Sequence, residues 1–186
     1  WRGEQFGAIV EADNISVHLK NAILAVEDKR FYRHFGVSPR GIAGAIRINL
    51  SEGRGALSGH GGSTITQQTA KLLCLGKPYK AKDWKSESQY EANCRQSSLW
   101  RKIKEALFAI ALELEFTKDE IMTLYLNRAF LGAGSRGFQA ASQRYFNKSA
   151  SNLNPAEAAM LAGLLVAPSR YAPTNNLSKS QNRASI

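Results

Sequence analysis

Three parts of this chain could do chemistry: a run rich in glycine and hydroxyl side chains, and two glutamates set among very different neighbours. The run Gly61-Gly62-Ser63-Thr64-Ile65-Thr66-Gln67-Gln68-Thr69-Ala70-Lys71 joins two glycines to a helix start and a lysine further along. Glycine lets backbone approach a ligand closely, Ser63 is a strong N-cap type, and free amides at a helix N-terminus favour an anion. Gln67 and Lys71 are four apart and share a face. Such a run can hold a phosphate, and it reads equally as a capped surface helix with a solvated lysine. Glu27 follows the apolar run Ala22-Ile23-Leu24-Ala25-Val26, which places its carboxylate at the edge of low-dielectric surroundings that raise a carboxyl pKa and make a better base. Phe31 and His34 follow at helical spacing and are expected on the same face. The plainer alternative is a surface glutamate paired with Arg30, at about 0.2–0.5 kcal/mol. Glu105 lies among Arg101, Lys102 and Lys104, and taken alone that charge run describes a solvated helix face.

The elements that must position these groups are helices. Hydrophobic period, broken at glycine and proline, predicts helices over 17–30, 39–51 and 63–75. The clearest runs over 98–116, where Leu99, Ile103, Leu107, Ile110 and Leu114 make an apolar stripe, the pattern of a helix facing a core. Thr117 with Glu120 reads as a capping box, and Asn154-Pro155 with Glu157 as a second helix start. No alternating strand competes, so the fold class is mainly α. The 186 residues, 44% hydrophobic, suit a single domain over 1–186 with a sizeable core.

Lys and Arg total 25 against 15 Asp and Glu, a net charge of +10, which calls for an acidic partner: nucleic acid, an anionic membrane or a phosphorylated substrate. No zinc-finger spacing, RNA-binding signature or aromatic-basic interleaving supports nucleic acid. No apolar stretch is long enough to span a bilayer. A chain starting at Trp1 and stopping at Ile186 reads as a domain excised from a longer, membrane-anchored protein.

Taken in order, the blocks Glu27-Asp28-Lys29-Arg30-Phe31-Tyr32-Arg33-His34-Phe35-Gly36, Gly61 to Lys71, and Arg101-Lys102-Ile103-Lys104-Glu105-Ala106 resemble the first three motifs of the family 51 glycosyltransferases. These are the peptidoglycan glycosyltransferase domains of class A penicillin-binding proteins and their monofunctional relatives. Tyr125-Leu126-Asn127 and the block from Gly134 to Tyr145-Phe146 resemble two more, so the likeness runs from about residue 4 to about residue 176. It implies a lysozyme-like helical domain with a larger lobe and a smaller, membrane-facing lobe. It implies transfer of a glycan from undecaprenyl pyrophosphate to the 4-hydroxyl of the N-acetylglucosamine of lipid II, with inversion. Glu27 matches the family's general base and Glu105 its second essential glutamate, which assists the leaving pyrophosphate, a divalent cation (magnesium or manganese) accompanying that group. The substrate-binding positions carried over are Asp28, Phe31, His34, Ser63, Thr64, Gln67, Gln68, Lys71, Arg101, Lys102, Tyr125 and Asn127, with no resident metal ligands. The resemblance also implies the extracytoplasmic, periplasmic face of the bacterial cytoplasmic membrane, with lipid II and the growing strand as partners and no nucleic acid.

The chain departs from that pattern in three ways. Gly44 and Ser97 stand where the family usually carries arginines, with Arg47 and Arg95 near enough in sequence to compensate, and Ser38 replaces an acidic residue. The stretch from Lys71 to Glu105 is about twice the usual length, which marks 76–96 as a family-atypical insertion loop. Cys74 and Cys94 flank it, as a disulfide worth ~3 kcal/mol or as two unrelated thiols. A lysozyme-like glycan-cleaving enzyme using Glu27 as acid, and a weakened module that holds polyprenyl pyrophosphate, are the alternatives.

Overall fold

The computed structural model describes residues 5–6, 8–56, 61–96 and 98–185. Its helices are α1 Val17–Glu27, α2 Pro39–Ser51, α3 Ile65–Leu72, α4 Glu87–Arg95, α5 Leu99–Glu115, α6 Lys118–Arg128, α7 Phe138–Phe146, α8 Pro155–Leu164, α9 Pro168–Tyr171 and α10 Leu177–Ala184. The strands among the described residues are β1 Gln5–Phe6 and β2 Ser135–Arg136, a parallel pair. The protein is therefore mainly α, as the periodicity predicts. Backbone proximity divides it into two compact units, Trp1–Lys29 with Met122–Ile186, and Arg30–Ile121.

In the first unit α1 lies on α8, and α10 also packs on α8. Leu19 and Ile23 of α1 are fully buried, as are Ala158, Leu161 and Ala162 of α8, so both helices turn apolar side chains to the core. Ser16 starts α1: its Oγ accepts from the His18 amide at 3.3 Å and donates to the Leu153 carbonyl at 2.7 Å. Asn154 and Glu157 form the expected capping box at the head of α8.

The expected helix over 17–30 stops at Glu27, because Asp28 leaves helical backbone at φ −161 and closes the helix with its own amide on Leu24. Phe31 and His34 therefore share no continuous helical face with Glu27. Phe31–Arg33 instead makes one separate 3-10 turn.

The second unit is organised around α3 packed on α5. Ala70 and Ala109 are fully buried, and small residues let the two helices approach. Gly36, at φ +75, lies so close to α5 that a Cβ there would meet the Ala109 backbone at 2.9 Å. The expected helix over 63–75 is shorter, starting at a Thr64 cap and ending where Cys74 and Leu75 take positive φ of 52 and 55. Thr117 and Glu120 form the predicted box before α6, the Thr117 amide donating to Glu120 Oε2 at 2.7 Å.

Two further expectations need correcting. The stripe on α5 faces out: Leu99, Leu107 and Leu114 are 69%, 64% and 75% exposed, and the buried positions are Glu105, Ala109 and Leu112. Close packing against α3 selects a small and a charged residue for the inner side. The segment 76–96, in turn, expected as an insertion loop, carries a helix, α4, capped by Ser86. A Cys74–Cys94 disulfide closes its base.

Candidate active site

Within the second unit the glycine run, α3 and the start of α5 build one polar cluster. Glu105 is 3% exposed, far from the solvated position that its charged neighbours suggest. Arg101, one turn before it, donates from Nε to Oε1 at 3.2 Å, and the Lys102 ammonium lies 3.4 Å from Oε2. Lys102 Nζ also donates to Ser63 Oγ at 3.0 Å. A half-exposed lysine thus bridges the glycine–hydroxyl turn and a buried carboxylate, so cationic and hydroxyl groups converge where an anion can add to them.

The helix cap falls on Thr64 rather than Ser63. Thr64 Oγ1 accepts from the Gln67 amide at 3.1 Å and the Gln67 side chain accepts from the Thr64 amide at 3.0 Å, a complete capping box. Thr64 Oγ1 also donates to the Gly36 carbonyl at 2.5 Å, tying the residues after His34 to the head of α3. Both side chains are buried and fix the turn, while Ser63 beside them is half-buried and accepts from Lys102. Gly62 makes the close approach its residue type promises, but to protein: a Cβ there would stand 2.6 Å from the Gly41 and Ile42 backbone of α2. Gln68 and Lys71 are half-buried further along α3.

Phe31 is 1% exposed, packed edge-on with Tyr32 at 5.0 Å and His34 at 6.4 Å between ring centres. The Lys118 ammonium sits 4.5 Å above the Phe31 ring and pairs with Glu113 at 2.6 Å, and Glu113 also accepts from Thr66 at 2.6 Å. Sequence reasoning misses this Thr66–Glu113–Lys118 set, because Glu113 between Leu112 and Leu114 reads as one more exposed charge.

In the first unit Glu27 ends α1 half-buried, and Asp28 behind it is buried. Tyr125 is fully enclosed; burial first, and then the charge of Glu27, hold its phenol well above the usual tyrosine range. Glu27 thus stands near enough to Tyr125 to act on it, while burial keeps the Tyr125 ring itself from a ligand. Asn127 is a clamp: its Nδ2 donates to the Val10 and Thr123 carbonyls, both at 2.7 Å, and its Oδ1 accepts from the Val10 amide at 2.9 Å. Gly137, at φ +82, passes so close that a Cβ would meet the Asn127 carbonyl oxygen at 3.1 Å.

Of the departures, Gly44 has open space around it, so packing does not dictate a glycine there, and Arg47 is exposed on the same helix. Ser97 and the Arg95 side chain lie outside the described residues. No group of three or more His, Cys, Asp or Glu able to hold a metal occurs among the described residues. Glu105 itself is engaged by two cations, Arg101 and Lys102.

A transglycosylase family model matches residues 2–186, and the chain belongs to that family, the family 51 glycosyltransferases whose motifs its blocks resemble. It is an enzyme domain of that class. Its relatives include penicillin-binding protein 1A of Aquifex aeolicus, 40% identical over 100% of this chain and 24% of the relative. Penicillin-binding protein 1A of Neisseria flavescens is 41% identical over 97% of this chain and 20% of the relative. The counterpart from Neisseria gonorrhoeae is 39% identical over the same shares. The chain spans a quarter or less of the length of these relatives.

Proposed function

We propose that this domain polymerises lipid II into peptidoglycan glycan strands, moving the strand from its undecaprenyl pyrophosphate to the 4-hydroxyl of the acceptor N-acetylglucosamine. The observation that carries the reading is the Ser63–Lys102–Glu105–Arg101 cluster, whose cations and hydroxyl suit a pyrophosphate and which a glycan hydrolase does not need. A donor with its own diphosphate leaving group asks the protein for two things: charge neutralisation on the departing phosphates and removal of one proton from the acceptor. Lys102, with Ser63 and Lys71, takes the first part. Glu105 holds Lys102 and Arg101 in place, and any divalent cation arrives with the pyrophosphate. Glu27 takes the second part as general base, and a single displacement inverts the anomeric centre.

The reading sets the domain at the extracytoplasmic face of the cytoplasmic membrane. Among the described residues no helix is long and apolar enough to cross a membrane. An interfacial contact is within reach of α2, whose Ile42, Ile48 and Leu50 are exposed and whose buried residue is Asn49. The test is incubation with labelled lipid II: long glycan strands support the reading, whereas release of fragments from preformed glycan, or pyrophosphate-lipid binding without polymer, would replace it with cleavage or with a binding module.

A further inference from the structure

The 76–96 insertion and the outward face of α5 form one continuous surface that the proposed reaction does not use. Leu99, Ile103, Leu107, Ile110 and Leu114 lie within one arc of α5, over a length of about 22 Å, and all five are exposed. Single exposed aliphatic residues are ordinary, whereas five in a row on one helix mark a contact surface. Next round the helix come Trp100, 65% exposed, and Lys104, whose ammonium lies 5.7 Å from the Trp100 ring centre.

The insertion leans over this edge. Tyr79 and Trp84 pack on Tyr90 at 5.5 and 5.7 Å between ring centres, and the Tyr90 hydroxyl donates to the Lys77 carbonyl. Between the insertion and α5 lies a hollow of about 730 Å³, lined among others by Trp84, Tyr90, Trp100, Lys104, Leu107 and Phe108. Lys77, Lys80, Lys82 and Lys85 are exposed between the aromatic residues, with Asp83 the one acid among them. The Cys74–Cys94 bridge and an Arg101 donation to the Asn93 carbonyl at 3.0 Å hold the insertion to the body.

We propose that this surface docks on the headgroup–acyl boundary of an anionic bilayer, as a contact additional to α2 and independent of it. Aliphatic residues in a stripe, Trp and Tyr beside it, and lysines beyond them are the order in which a bilayer presents acyl chains, interface and phosphates. Charge selects this occupant over a second copy of the chain, since two lysine-rich faces repel. A glycan would use the rings but leave the aliphatic stripe in water.

The test measures partitioning of the chain onto vesicles of equal parts phosphatidylglycerol and phosphatidylcholine, and onto phosphatidylcholine alone. Leu107→Glu with Leu114→Glu, and separately Lys80→Glu with Lys82→Glu, are expected to lower partitioning on the anionic vesicles about tenfold. Val166→Glu with Leu177→Glu is expected to change nothing. The α5 and insertion losses are expected to persist in an Ile42→Glu, Ile46→Glu background, which separates this surface from α2. Brominated acyl chains are expected to quench the otherwise native chain more than its Trp84→Phe, Trp100→Phe variant. Unchanged partitioning of folded variants, equal losses on both vesicle types, or equal quenching would overturn the proposal.

Discussion

The two units hold their glutamates in opposite ways. Glu105 is buried with two cationic partners, Arg101 and Lys102, and through Lys102 it reaches Ser63. Glu27 closes a helix half-buried, and its charge is felt by an enclosed phenol, Tyr125. A carboxylate that already accepts from a guanidinium and an ammonium is placed to fix charge, and one set at the margin of an apolar core is placed to take a proton. In the proposed reaction two residues of one type thus receive different work from their surroundings, which is the general way one fold divides acid–base from electrostatic tasks.

The largest effect expected is on turnover. Glu27→Gln keeps shape and loses the base, so lipid II polymerisation should fall about a hundredfold or more while the melting temperature stays put. Equal melting losses for Glu27→Gln and Glu105→Gln would erase the contrast, because only Glu105 is expected to cost stability, about 1–3 kcal/mol as a buried side chain loses its charged hydrogen bonds.

Next comes donor binding. Lys102→Ala should weaken a phosphoglycolipid such as moenomycin about tenfold or more, Lys71→Ala by less, and Lys179→Ala on exposed α10 not at all, as read by fluorescence titration. Equal weakening by all three would leave net charge as the explanation.

Backbone variants sharpen the same point on stability. A Cβ at position 62 would collide with α2 backbone, so Gly62→Ala should lower stability by about 1–3 kcal/mol, whereas Gly44→Arg, with open space around it, should be tolerated.

The smallest effect concerns a helix cap of the first unit. Glu157 is held below the usual carboxylate range, first by the Lys148 side chain and then by the Asn154 amide. A depressed folded pKa contributes stability that is present above the unfolded value of 4.5 and lost as pH falls through the folded one. The melting difference between the native chain and Glu157→Gln should therefore shrink as the pH is taken below 4.5, and a difference independent of pH would remove Lys148 from the account.

Local signals were readable from the chain where one residue type answers one physical need. The capping residues Thr117, Glu120, Asn154 and Glu157 stand where composition puts them, and the helix over 39–51 starts and stops as proline and polarity suggest. The order of the motifs along the chain by itself marks the family. What local patterning could not tell was which way α5 faces. An apolar stripe ordinarily means a core, and only the approach of Gly36 and α3 to Ala109 turns Glu105 inward and leaves Leu99, Leu107 and Leu114 in water. Asn127 and Thr64 were invisible as clamps for a similar reason: their partners, Val10 and Gly36, are remote in sequence.

The central claim is the division of labour between Glu27 and Glu105, and it is tested most directly by phosphoglycolipid affinity in their two glutamine variants, measured with folded protein. Glu27→Gln is predicted to bind as tightly as the native chain despite losing turnover, and Glu105→Gln to bind about tenfold more weakly because Lys102 and Arg101 lose their anchor. Weaker binding by Glu27→Gln, or native affinity in Glu105→Gln, would contradict it.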